Sequence, residues 1–167
     1  MTTTTQVLAS QVDDTLWLRP EGRGTFQTSP AVQEVAEAGF SREAANITVD
    51  LGACSGMDST FMGMLSGLAK RARKKGGVMK VVGAEGKNQA SLEELGLATF
   101  MTLGDNAPEE LNSVREDMVA VCTETGCGEI EHILKCHEEL CEDNEENQQK
   151  FKDVLEVLRE QQKGLGS

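Results

Sequence analysis

The chain has 167 residues, of which 38% are hydrophobic and 26% are charged, so it is long enough to bury a core and has a globular composition. Its formal net charge of -12 argues against non-specific nucleic-acid binding, because such binding needs Lys and Arg to displace the counterions of phosphates. The same charge disfavours binding to anionic membrane surfaces.

The acidic charge is concentrated in the last part of the chain. Residues 1–104 contain 10 Lys and Arg against 11 Asp and Glu, a net charge of -1, whereas residues 105–167 contain 6 against 17, a net charge of -11. Gly, Asp, Asn and Pro at residues 104–108 mark the change in composition. We therefore predict a domain over residues 1–104 and an acidic helical extension over residues 105–167.

The expected location is the cytoplasm. No apolar run approaches the about 20 residues that cross a bilayer, and the first residues lack the basic and apolar segments of a signal peptide. The chain has five cysteines, and this odd number favours reduced thiols over a disulfide framework. We therefore expect a protein that binds neither membranes nor nucleic acid.

The N-terminal segments predict a hairpin followed by a helix. Residues 6–10 and 14–19 are predicted strands joined by a turn at Asp13-Asp14, and residues 20–28 are a predicted loop. Ser29 followed by Pro30 indicates the start of a helix over residues 30–38, which Gly39 ends.

The next segment carries the clearest pattern of the chain. Residues 47–51 are a predicted buried strand, and a short loop with Gly and Ser leads to Asp58, a good helix N-cap. The predicted helix after it ends in cationic residues at 70–75, which complement its dipole, and stops at Gly76. Its apolar stripe consists of Phe61, Met64, Leu65, Leu68 and Ala72.

A third unit of the same kind completes the domain. Residues 78–82 are a predicted strand, Asn88 is predicted to cap a helix that runs to Leu95, and residues 98–103 are the last predicted strand. Alternation of strands and helices implies right-handed crossovers. We therefore predict an α/β fold with a mixed, mostly parallel sheet.

The segment Asp58-Ser59-Thr60 opens a helix that follows a strand and a loop, and Gly63 lies three residues further on. This arrangement resembles the STAS domain, the fold of bacterial anti-sigma-factor antagonists. The resemblance covers residues 5–104 and implies a STAS-like mixed sheet with helices packed on it. It also implies a non-enzymatic protein of signal transduction and transcription regulation that needs no cofactor.

The resemblance implies a site as well. In the family, a partner-switching kinase phosphorylates the second of two hydroxyl residues after the Asp, which is Thr60 here; Ser59 is the lesser candidate, expected to turn its hydroxyl toward the loop. The implied partners are an anti-sigma factor or Ser/Thr switch kinase, and a phosphatase. The expected partner-binding residues, called the docking surface below, are Asp58, Ser59, Thr60, Phe61, Met62, Gly63 and Met64. Phe61 departs from the family, which commonly has Gly at this position.

A different role for Thr60 is plain helix capping, which is common for Ser and Thr. The alternative function is then a constitutive assembly module, in which Thr60 is never modified and residues 105–167 drive formation of a homodimer.

The extension shows two helical patterns. Leu111, Val114, Met118 and Val121 repeat at helical spacing, and the glycines at 126 and 128 break that helix. A longer helix is predicted over residues 129–162, but residues 142–150 are almost wholly polar. This helix therefore either bridges solvent or bends near residues 144–147.

Clustered Cys and His residues in the extension allow a minor alternative, metal or redox sensing. They are Cys122, Cys127, His132, Cys136, His137 and Cys141. The simpler interpretation is buried thiols and a helix-packing His137, because the cluster lacks a Cys-x-x-Cys pair. No nucleophile has a plausible His and acid partner, so we expect no enzyme.

Overall fold

The computed structural model of the protein describes residues 5–104, 114, 116, 118–123 and 130–165. One seven-stranded sheet organises them, in the order β6-β5-β3-β2-β1-β7, with β4 paired to the far end of β2. Its strands are β1 (Gln6–Val12), β2 (Thr15–Gly24), β3 (Asn46–Asp50), β4 (Cys54–Met57), β5 (Met79–Val82), β6 (Thr102–Gly104) and β7 (Val119–Thr123).

The sheet is mixed and mostly parallel, which confirms the prediction. β2, β3, β5 and β6 run parallel to one another, and β4 is parallel to β2. β1 is antiparallel to both β2 and β7. The hairpin of β1 and β2 turns at Asp13, whose φ is 54°.

The helices pack on this sheet and on one another. They are α1 (Ser29–Ser41), α2 (Ser59–Lys74), α3 (Gly86–Glu94), α4 (Ile130–Cys141), α5 (Glu145–Lys150) and α6 (Lys152–Leu165), with a 3-10 turn at Leu97–Thr99. None of those helices is long and apolar enough to span a membrane, as far as the chain is described.

Helix α2 confirms the sequence pattern closely. The five residues of its apolar stripe are each at most 1% exposed and belong to the main hydrophobic core. The helix ends where Gly76 adopts a φ of 84°, a left-handed conformation that favours glycine.

Several predicted boundaries in the domain are wrong. β2 continues through Gly24 instead of ending in a loop at residue 20, because its far end pairs with β4, a strand that the sequence pattern missed. The missed strand has only four residues, two of them Ser and Gly, so it carries no alternation. The predicted strand 98–103 is a 3-10 turn followed by the three-residue β6.

Two helix starts also differ from the prediction. Thr28, not Ser29, is the N-cap of α1, and this helix runs through Gly39 to Ser41. Helix α3 begins at Gly86, so Asn88 is not its cap. The Asn88 side chain is buried and donates a hydrogen bond of 2.8 Å to the Cys54 carbonyl, which holds α3 against β4.

The predicted long helix over residues 129–162 is bent, which is one of the two alternatives given for it. Asn144 caps α5 by accepting a hydrogen bond of 3.0 Å from the Asn147 amide, and a second break follows at Phe151. The predicted helix up to Val121 is wrong at its end: Val114 is helical, but Val121 lies in β7, which joins the edge of the sheet. Leu111 and the break at residues 125–128 lie outside the described residues.

A buried ion pair joins the two central strands of the sheet. Asp50, at the end of β3, is 1% exposed and pairs with Arg19 of β2. The other carboxylate oxygen of Asp50 accepts a hydrogen bond of 3.0 Å from the Gly52 amide. Arg19 also contacts Glu21, at 3.1 Å; a hydrogen bond from the Gln6 side chain and then this contact lower the pKa of the Glu21 carboxyl.

The variant Arg19→Met removes the cation beside Asp50 and leaves a buried carboxylate without its main charge partner. We expect the free energy of unfolding to fall by about 3 kcal/mol, because breaking a buried pair on one side is costly. Urea denaturation followed by circular dichroism measures it. Arg42→Met removes an exposed arginine and serves as the control; equal loss in both variants would contradict the prediction.

Candidate functional site

The start of α2 is held by Asp58, as the sequence predicted. One carboxylate oxygen accepts a hydrogen bond of 2.8 Å from the Phe61 amide, so Asp58 is the N-cap of the helix. The other oxygen accepts a hydrogen bond of 2.7 Å from the Phe26 amide. Asp58 therefore joins the loop before α1 to the first turn of α2.

Ser59 faces the extension rather than the loop, so the expected orientation of its hydroxyl is wrong. Its Oγ lies 2.8 Å from Nε2 of His137 in α4. The other ring nitrogen, Nδ1, lies 2.8 Å from the Ile133 carbonyl, which can only accept. In the neutral ring Nδ1 therefore carries the proton, and the Ser59 hydroxyl donates to Nε2.

Most of the docking surface is covered in this structure. Thr60 is 4% exposed, and Phe61, Met62, Gly63 and Met64 are buried as well. Asp58 and Ser59 are partly exposed. Phe61 packs so closely on β2 that a Cβ added at Gly24 would lie 2.8 Å from its ring. A large ring at this position, where the family commonly has Gly, is thus part of the core.

Helix α4 lies across α2 at Gly63. A Cβ added at Gly63 would lie 2.0 Å from the carbonyl oxygen of Cys136, so no larger residue fits without moving one helix. One turn further along, a Cβ added at Gly67 would meet the Glu139 side chain at 3.3 Å. Ser59, Gly63 and Gly67 form one face of α2, because residues four apart lie above each other on a helix.

A second Ser and His pair lies next to the first. Ser29 Oγ at the start of α1 is 2.7 Å from Nε2 of His132, and Cys136 Sγ is 3.4 Å from the same nitrogen. Burial raises the pKa of the Cys136 thiol to about 12, so this cysteine is a poor nucleophile and a poor metal ligand at neutral pH.

The structure separates the Cys and His residues that the sequence grouped. His132 contacts Ser29 and Cys136, His137 contacts Ser59, and Cys141 Sγ donates to the Asn147 carbonyl at 3.5 Å. Among the residues that the structure describes, no three Cys, His, Asp or Glu side chains are grouped as metal ligands. Cys127 and the side chain of Cys122 are not among them.

Lys70 has a role that its place in the cationic end of α2 did not reveal. Beyond complementing the helix dipole, its Nζ lies 3.0 Å from the Glu139 carbonyl and 3.3 Å from carboxylate oxygens of both Glu139 and Glu142. It also lies over the ring of Phe100, 5.0 Å from its centre. The signal for this contact was present: a basic helix end and a strongly acidic extension in one chain.

The family model of the STAS domain matches residues 6–109. The chain belongs to the STAS domain family. Helices α4, α5 and α6 lie beyond the matched part of this STAS protein, so the cover over α2 is made by residues outside the family match. Among curated proteins, none matches the chain.

Solved structures show the same fold. A Thermotoga maritima protein described as a candidate anti-sigma factor antagonist has a TM-score of 0.56 and 19% identity, over 64% of this chain and 92% of that one. An anti-sigma factor antagonist from Mycobacterium paratuberculosis has a TM-score of 0.56 and 20% identity, over 66% and 94%. The phosphorylated form of the Bacillus cell fate determinant SpoIIAA has a TM-score of 0.53 and 18% identity, over 66% and 98%.

The variants of Asp58 test how the site is held. Asp58→Ala loses both hydrogen bonds and should lower the free energy of unfolding by about 1–2 kcal/mol. Asp58→Asn keeps one oxygen acceptor, so its loss should be smaller. Thermal and urea unfolding measure both. Glu85→Ala is the control, because Glu85 is the N-cap of α3 but makes no cap hydrogen bond through its side chain; a loss as large as that of Asp58→Ala would rule out capping as the cause.

Proposed function

We propose that this STAS protein is a non-enzymatic signalling protein of the anti-sigma-factor antagonist type, which binds an anti-sigma factor or Ser/Thr switch kinase. The observation that carries the proposal is the position of Asp58, Ser59 and Thr60 at the start of α2, directly after β3 and β4 of the STAS sheet. Antagonists with the same fold, such as SpoIIAA, support this class of function.

The proposed docking site is the first part of α2, from Asp58 to Met64. Its residues carry one carboxylate, two hydroxyls and apolar side chains, of which Met62 is 6% and Met64 is 1% exposed in this structure. Burial of apolar side chains supplies most of the affinity in protein interfaces, and polar groups near them provide specificity. A helix start with this mixture suits a protein partner better than a small substrate.

Thr60 is the proposed phospho-acceptor. Phosphorylation adds about -1.5 to -2 charges, and a helix N-terminus tolerates an anion because its amides and dipole favour negative charge. The modification therefore need not unfold the domain. It places charge and bulk beside Asp58, where it opposes the docking of an acidic or apolar partner surface. A STAS protein that occurs in a phosphorylated form, SpoIIAA, supports this proposal.

Incubation of the full chain with its cognate ATP-dependent switch kinase tests the site. The wild type should gain one phosphate, Thr60→Ala should gain none, and Ser59→Ala should still be modified. Intact-mass and phosphopeptide analysis measure the gain. Ser41→Ala, which removes an exposed hydroxyl at the end of α1, is the control. Unchanged modification of Thr60→Ala would refute the site.

The second candidate function is the constitutive assembly module, in which the extension forms a homodimer. Val154 and Val157 favour it, because they are 41% and 53% exposed on one side of α6. Under this alternative, Val154→Ser combined with Val157→Ser should halve the molar mass measured by light scattering. Lys152→Ser, at an exposed position of the same helix, is the control. A wild type that is already monomeric excludes the alternative.

A further inference from the structure

Helix α4 occupies the surface that a partner needs under the proposed function. It contacts α2 at successive turns: His137 at Ser59, the Cys136 carbonyl at Gly63, and Glu139 at Gly67. Thr60 directly follows Ser59 in the first turn of α2 and is 4% exposed in this structure. The extension thus contacts Ser59 and Gly63, two of the residues that the proposed function assigns to the partner interface.

The contacts between the extension and the domain include many polar ones. Besides the pairs at Ser59 and Ser29, Asn147 donates a hydrogen bond of 2.8 Å to the Leu95 carbonyl, and Lys150 pairs with Glu94 at 2.7 Å. Lys70 reaches the Glu139 carbonyl and carboxylate in the last turn of α4 and the Glu142 carboxylate just beyond it. The interface also has an apolar part, because Leu134 and Leu140 of α4 belong to the main hydrophobic core. Interfaces between units of one chain combine both kinds of contact and are more polar than permanent ones.

The extension has internal contacts that do not depend on the domain. α6 packs on α4 and α5, and the ring of Phe151 meets His137 edge-on at 5.3 Å. Asn147 donates a hydrogen bond of 2.7 Å to the Leu140 carbonyl within the extension. The extension keeps these internal contacts if it moves away from the domain as one body, and it loses them only if it unfolds.

We propose that α4, α5 and α6 form a detachable cover that closes the docking surface in the free protein. This inference rests on the proposed function. In the closed form the Thr60 hydroxyl is out of reach of a kinase, and a partner cannot lie where α4 lies. Binding and modification then take place in an open form, and the population of this form limits both. A partner that binds the open form alone shifts the equilibrium toward it.

Native-state hydrogen exchange of the full chain tests the cover without any partner. Amides of α4 should exchange through a local opening and show protection at least about tenfold lower than those of β3, which report global unfolding. Equal protection in α4 and β3 would overturn the proposal, because the extension would then be a permanent layer of the core.

Two glycine variants make this test sharper. Gly63→Ala places a methyl group against the Cys136 carbonyl and should lower α4 protection by about tenfold or more, because overpacking forces the two helices apart. Protection in β3 should not fall, since alanine favours helix α2. Gly67→Ala is the matched control, because the atoms nearest to its methyl group belong to the movable Glu139 side chain rather than to a backbone. If the protection of α4 and that of β3 fell by the same factor in Gly63→Ala, the opening would be global and the proposal would be contradicted.

A second pair of variants leaves the docking residues unchanged. Lys70→Met removes the contacts to Glu139 and Glu142 and should open the cover, whereas Lys74→Met removes an exposed lysine of the same helix. Alkylation of Cys136 by iodoacetamide, followed by peptide mass analysis, is the readout. Cys136 belongs to α4 and is 3% exposed, so its labelling should be slow in wild type and Lys74→Met and several-fold faster in Lys70→Met. Equal rates in all three would overturn the cover.

A disulfide between α2 and α4 should hold the cover in its closed form. A Cβ built at Gly67 lies 3.3 Å from Cγ of Glu139, so Gly67→Cys with Glu139→Cys places two thiols at facing positions of α2 and α4. The oxidised variant should not be modified at Thr60 by the switch kinase, and the reduced one should be. Modification at the same rate in both states would overturn the inference.

The outcomes separate this inference from the proposed function. If Gly63→Ala opens α4 by hydrogen exchange and no variant ever binds or is modified by a switch kinase, the cover exists and the proposed function fails. If Thr60 is modified equally in the locked and open forms, the proposed function stands and the cover fails.

Discussion

The close approach of two backbones at Gly63 is the constraint on which the organisation of this protein depends. The Gly63 backbone leaves room for no more than a hydrogen atom beside the Cys136 carbonyl, since a Cβ at Gly63 would lie 2.0 Å from that oxygen. The approach brings His137 to Ser59 and Glu139 to Lys70, so the hydrogen bonds of the interface follow from it. Glycine in a helix interior costs about 1 kcal/mol relative to alanine, and here the packing offsets that cost.

Helix α2 therefore has two different faces. The face toward the sheet is apolar, carrying Phe61, Leu65 and Leu68, and it belongs to the main hydrophobic core. The face toward α4 is formed by small and polar residues, Ser59, Gly63 and Gly67, which lose little when they are exposed to water. This difference lets one helix serve both as a structural element and as a surface that is open or closed.

Much of the domain follows from local patterns, and the exceptions have physical reasons. Asp58 and the stripe of α2 were predictable, because capping and helical period are properties of neighbouring residues. β4 and the far end of β2 were not, because they are strands through their pairing with each other rather than through alternation. Asn88 was predicted as a cap, but it lies inside α3, where its side chain donates a hydrogen bond to the buried Cys54 carbonyl. This distant acceptor is not visible in the local sequence.

For the site, the sequence by itself determined the chemistry: a capped helix start with two hydroxyls, in a chain whose second half is strongly acidic. Only the tertiary structure decided that this helix start is covered, that Ser59 faces His137 rather than the loop, and that Lys70 is paired with the extension. The reason is physical. Residues 78 positions apart along the chain meet through the packing of two helices, and local periodicity carries no information about which helix faces meet.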